Sequence, residues 1–189
     1  MNGVHSPGLP PRRGADRGAR WTLGGLAALV AASAACAPSI RARPAGDEGM
    51  LMFTVGRLAF EGPVGWEQSG DARRVLLVSP QSGARLDVQL MARTYADDRE
   101  CLAQAEQALE RGSGSFTGVR RHATRLAGRK AVVQEADQAG WHGWAWAVCD
   151  GGEQYRLFFT GRSPLGEEEL RASRLLPSSA VLAAHSGAR

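Results

Sequence analysis

The chain has 189 residues, with 23 Lys plus Arg against 19 Asp plus Glu and a formal charge of +4. Four of those cations and one of the acids precede Cys36, so the part from Cys36 to Arg189 holds 19 against 18 and is nearly neutral, which argues against a nucleic-acid partner. The roughly 154 residues of that part suffice for one domain with one core. Three cysteines without a CxxC or HxxxH spacing give no zinc site, and neither a metal nor another cofactor is expected.

Residues 1–35 read as an export signal. Arg12, Arg13, Arg17 and Arg20 stand against Asp16, and the chain then carries no charge from Trp21 until Arg41. The apolar stretch ends near Ala35, short of the roughly 20 residues a bilayer span needs, and Pro38 stops a helix from continuing. "SAAC", Ser33 to Cys36, resembles the lipobox of bacterial lipoproteins at its last three positions and departs from it at Ser33. The resemblance implies that Cys36 is lipidated and becomes the first mature residue, anchoring the protein to a membrane and facing the periplasm. Two alternatives stay open: a plain secretory cut after Ala34 or Ala35 that leaves Cys36 a bystander, and an uncleaved anchor. Residues 36–50, rich in Pro, Ala and charge, read as a tether.

The folded part is expected over 51–177, with a flexible tail over 178–189. "MFTVGRLAF" alternates as β structure and leads into a turn at Pro63 and Gly65. Strands follow at Arg74 to Ser79 and Arg85 to Arg93, joined by "PQSG". Asp97 to Arg111 is the clearest helix: Asp97 caps it, Glu100 stands three residues on, Gly112 closes it, and Cys101, Leu102, Ala105, Ala108 and Leu109 form one stripe. Strands resume at Val119 to Leu126 and Arg129 to Glu135, with no repeat of fixed period evident. Two further runs meet at Asp150-Gly151-Gly152, a hairpin signal. Alternation there sets Trp144, Trp146 and Val148 against Ala145, Ala147 and Cys149, and gathers Tyr155, Leu157 and Phe159 on one face. A closing helix is expected after Ser163-Pro164, with Glu167 to Glu169 early and Arg171 and Arg174 late. Strands, helix, strands, helix, with hairpin connections, predict an α+β domain: an antiparallel sheet flanked by helices.

With Cys36 committed elsewhere, Cys101 and Cys149 remain as a pair. Cys101 faces the sheet from its helix and Cys149 ends a small-residue face that lets a helix approach, so a disulfide is predicted, closing a 48-residue loop and stabilising the fold by roughly 3 to 4 kcal/mol. The alternative is two buried thiols. Candidate chemistry is sparse. "GSGSF" follows a helix instead of opening one, so it is neither a nucleophile elbow nor a phosphate loop. His142, between Trp141 and Gly143, reads as an exposed turn residue. Arg120, Arg121 and Arg125 crowd neighbouring runs and Trp141 is the tryptophan expected at the surface; these four are the candidate binding surface.

"FEGPVGWEQ", the "DDRECLAQAEQAL" helix, "LAGRKAVV", the hairpin ending "EQYRLFFTGR" and the closing "EEELRASRLL" resemble, in that order over Leu51 to Leu176, the PsbP-like domains. These include PsbP of photosystem II, the DcrB lipoproteins and the nuclear-import factors that bind Ran. The resemblance implies an α/β/α sandwich on an antiparallel sheet, and a protein that binds partners instead of catalysing. The expected function is therefore a non-catalytic envelope lipoprotein that binds a protein or stabilises a complex. A secreted ligand carrier and an enzyme with an unrecognised site are the alternatives.

Overall fold

Two-residue turns twelve residues apart organise the larger of two sheets. The computed structural model describes residues 40, 42–46 and 48–184. The export signal, Cys36 and residues 37–39, 41 and 47 of the tether lie outside the described residues. The elements in order are β1 (Ala42–Pro44), β2 (Met50–Val55), β3 (Leu58–Pro63), β4 (Glu67–Asp71), β5 (Arg74–Val78), β6 (Arg85–Thr94), α1 (Asp98–Gly112), β7 (Thr117–Leu126), β8 (Arg129–Gln138), β9 (Trp141–Asp150), β10 (Glu153–Arg162), α2 (Glu167–Ser179) and β11 (Val181–Leu182). From β7 to β10 every strand has ten residues and every connection two: Ala127-Gly128, Ala139-Gly140 and Gly151-Gly152, all with φ between 48° and 81°. Positive φ at both positions is what the I′ hairpin requires, a turn whose backbone twist matches the right-handed twist of the flanking strands. A side chain at Gly152 would also collide with the Tyr95 carbonyl.

All pairings are antiparallel. The seven-stranded sheet runs β4-β5-β6-β10-β9-β8-β7, and the four-stranded sheet runs β1-β2-β3-β11. The chain leaves β6, crosses as α1 to the far edge, and returns strand by strand until β10 pairs β6.

The two faces of the large sheet differ in side-chain size, as the alternation of β9 and β10 requires. Trp146, Val148, Tyr155, Leu157 and Phe159 point to one face. There they pack with Phe53, Val55, Leu58 and Phe60 of the small sheet and with Ala172 and Leu176 of α2. Burying such a side chain contributes roughly 1.5 to 3 kcal/mol each, so this is the main core. On the opposite face α1 lays Cys101 and Ala105 over Val132, Ala147 and Cys149. Cys101 and Cys149 form the disulfide expected from the sequence, with their Cα atoms 6.1 Å apart.

The α+β expectation, an antiparallel sheet flanked by helices as an α/β/α sandwich, is overturned. The described residues are mostly strand, in two antiparallel sheets with two helices. The reason is the Met50–Pro63 run. It turns back at Gly56 and Arg57 into a hairpin, and its aromatic residues, not a helical layer, cover the apolar face of the large sheet; α2 packs beside it on β3. Gly56, at φ 56°, permits the turn, and a Cβ there would stand 2.8 Å from Leu90 Cδ2. The small sheet is widened by β1, from the stretch read as tether, and by β11, from the stretch read as flexible tail; Ala180 between α2 and β11 is buried. The start of α2 also differs from expectation. Ser163-Pro164 is a cis peptide ahead of the helix, and Gly166 is the N-cap, its backbone N–H donating to the buried Glu169 carboxylate.

At the turn of the small-sheet hairpin, Arg57 ties the two sheets together. It donates to Asp150 Oδ2 at 2.6 Å and Glu153 Oε2 at 3.1 Å, while Arg129 reaches Asp150 Oδ1 at 2.7 Å. Burial opposes the Arg57 charge, but the bonds to Asp150 and Glu153 outweigh it and hold the guanidinium above its ordinary pKa.

Candidate functional site

Helix α1 is shorter than the strands it crosses, and this mismatch makes a cleft. The helix covers the sheet around Val132, Ala147 and Cys149 and ends at Gly112. Its N-terminus is fixed as expected, Asp97 Oδ1 accepting from Glu100 N at 2.7 Å. Its C-terminus is capped by Ser113 in right-handed geometry, so Gly112 is its last residue and not a left-handed stop. Beyond it, the same sheet face stays uncovered. The floor there is small, Ala136, Gly143 and Ala145, and the walls are large, Leu109, Phe116, Trp141 and Phe158, around a cleft of about 250 Å³. A side chain at Gly143 would press on the Phe159 carbonyl at 2.9 Å, so the floor is as low as the backbone permits.

Donors outnumber acceptors in this cleft. Arg156 lines it, half-buried, with Nε donating to Gln154 Oε1 at 3.0 Å. Gln154 is fully buried and its Nε2 reaches the Cys101 carbonyl at 3.4 Å, so Arg156 is steered from the framework that the disulfide staples. The terminal guanidinium nitrogens of Arg156 meet no acceptor among the described residues, and no lining residue is an acid. Gln134 Oε1 accepts from Arg121 Nη2 at 2.7 Å. Arg162 lies over the Trp141 ring at 5.6 Å, a cation–π contact. Asp87, the neighbour of Phe158 on β6, is occupied by Arg74 at 2.6 Å; that contact, followed by the Coulomb attraction of the same carboxylate, holds the Arg74 pKa above its ordinary value.

The four expected binding-surface residues do not form one patch, because β7 alternates. Arg120 points to the small-sheet side, 2.6 Å from Glu135 Oε1. Arg121 points to the helix side, at Gln134. Arg125, also on the helix side, donates to the Gly128 carbonyl at 3.0 Å and lines a second groove beside Asp98, Glu106 and Lys130. That groove sets exposed charges of both signs, Arg99, Glu106, Arg125 and Lys130, around Leu102 and Ala103, so cation and anion neighbours are already mixed within it. Trp141 alone enters the cleft. His142, expected as an exposed turn residue, is half-buried on the opposite face, with Nδ1 2.7 Å from Asp137 and Nε2 3.2 Å from Glu135. Trp146 is buried as the alternation predicts, and Trp144 packs half-buried against the same core.

Sequence reasoning missed Phe116, Gln134, Arg156 and Phe158. The signal was present: if Tyr155, Leu157 and Phe159 share the core face, then Arg156 and Phe158 face the helix side, where Ala145 leaves them room.

No family model and no curated protein matches the chain by sequence. Among solved structures it is similar to cyanobacterial PsbP (CyanoP) from Synechocystis sp. PCC 6803, determined in solution, with a TM-score of 0.51 and 11% sequence identity over 73% of this chain and 95% of that one. At that identity the likeness is one of fold: the chain has a PsbP-like fold.

Proposed function

We propose that the chain is a non-catalytic envelope lipoprotein, exported, anchored to a membrane at Cys36 and facing the periplasm, whose domain binds a protein partner through the cleft beyond α1. The observation that carries the reading is the cleft itself: a small-residue floor between Phe116, Trp141 and Phe158. Its volume of about 250 Å³ falls below the roughly 300 Å³ at which small-molecule sites begin, and suits one anchoring side chain of a larger partner. The disulfide supports the address, since such bonds persist in oxidising compartments. The PsbP-like fold supports a binding role by analogy of fold alone.

Two experiments test this. A photoreactive amino acid replacing Phe116, at the cleft wall, should capture a discrete partner in intact cells, whereas the same residue replacing the exposed Val64 should not. Equal or absent capture from both positions would contradict the reading. For the anchor, Cys36→Ala should move the protein from the detergent phase to the aqueous phase, and an unchanged partition would contradict lipidation.

A further inference from the structure

Arg156 is a half-buried cation lining an apolar cleft, and among the described residues no carboxylate forms an ion pair with it, so its charge is available to an anionic ligand. Its Nε is spent on the buried Gln154, leaving the two terminal nitrogens as a fork. That fork matches the two oxygens of a carboxylate, and Arg makes such bidentate pairs where Lys would offer only a point charge. Around it the same face is positive: Arg121 and Arg162 border the cleft and Arg85 pairs across from Thr160, while Asp87 is taken by Arg74. Phe158 stands two residues along β10 from Arg156, about 7 Å away on the same face. Anion and apolar group must therefore sit close together in whatever binds.

Resting on the binding-module reading, we propose that the cleft recognises the chain end of a partner polypeptide whose last residue is aromatic or large and aliphatic. Its terminal carboxylate meets Arg156, and its side chain lies between Phe116, Trp141 and Phe158 over Ala145. The cleft has room for one terminal residue and not for the residues before it, so the rest of the chain leaves through the open side past Gln134, whose amide nitrogen meets no acceptor among the described residues. An internal acidic residue would hold its carboxylate further from a neighbouring ring than a chain end holds its own.

The test uses the native protein and three probes, read by tryptophan fluorescence and calorimetry: acetyl-Gly-Gly-Phe with a free carboxylate, the same peptide as its amide, and 3-phenylpropionate. The free acid should bind at least ten-fold more tightly than the amide and than 3-phenylpropionate. Arg156→Gln should erase the preference for acid over amide, and Arg156→Lys should retain only part of it. Equal binding of acid and amide by the native protein would overturn the proposal without need of a variant. Equal binding of acid and 3-phenylpropionate would also overturn it and point to a small aromatic acid. Failure of the acid to bind, in a protein whose Phe116 position still captures a partner in cells, would overturn the chain-end proposal and leave the binding-module reading standing.

Discussion

The two halves of the helix-covered sheet face share strands and a taste for small residues, yet meet opposite fates. In one half Val132, Ala147 and Cys149 lie beneath Cys101 and Ala105, closed by a disulfide. In the other, Ala136, Gly143 and Ala145 make an equally low floor with no helix over it. The difference is length: a fifteen-residue helix rises about 22 Å, a ten-residue strand about 33 Å, and crossing at an angle shortens the cover further. Small residues under a helix pack; small residues beyond its end make a cleft. The same motif therefore packs under a helix at one end and, in the function proposed above, receives a partner at the other.

The largest way to break that contrast is to release the closed half. Reducing the disulfide, or Cys101→Ala with Cys149→Ala, should cost about 4 kcal/mol by loop closure, read as a lower urea midpoint with a steeper slope, because the released unfolded chain exposes more surface. A paired substitution sharpens the contrast. Ala147→Leu, in the packed half, should cost about 1 to 3 kcal/mol by overpacking. Ala145→Leu, in the open half, should leave stability within about 0.5 kcal/mol while blocking partner capture at Phe116.

A gentler probe, on the opposite face of the same strands, is alkaline pH. Burial, reinforced by the neighbouring Glu153 against the opposing Arg57, pushes the Tyr155 hydroxyl above its ordinary pKa near 10. Folding thus favours the neutral phenol. Its contribution is complete below about pH 10 and is lost as pH rises through the elevated folded value. Unfolding midpoints should fall over that window, and more shallowly in Tyr155→Phe. The smallest effect belongs to the turn at the open end. Ala139 holds a φ of 48°, so Ala139→Gly should raise the urea midpoint by the equivalent of about 0.5 kcal/mol or slightly more, relieving left-handed strain at some cost in chain entropy.

Much of the large sheet was legible because its signals are local. The Gly151-Gly152 turn, the alternation of Trp144, Trp146 and Val148, and the Asp97 cap all act within a few residues. The pairing of Cys101 with Cys149 followed from combining two such local faces. The twelve-residue rhythm went unseen because two of its three turns begin with alanine, which sequence patterns do not mark as left-handed. The second sheet was hidden for another reason: β1, β2, β3 and β11 come from opposite ends of the folded part, and only the tertiary fold brings Val181 beside Ala59. The cleft was illegible because it depends on where α1 stops relative to strands that follow it, a property of no single segment. Arg156 and Phe158 are ordinary members of an alternating strand until the uncovered floor beside them is known.

The central claim is that the open half of the helix face, and no other part of the domain, is the recognition surface. Amide NMR of the labelled protein titrated with acetyl-Gly-Gly-Phe tests it directly. The account predicts perturbations gathered at Phe116, Gln134 to Ala145 and Arg156 to Thr160, with Cys101, Ala105 and Val132 unmoved. Perturbations centred instead on the charged groove at Arg125 and Lys130, or none at saturating peptide, would contradict it.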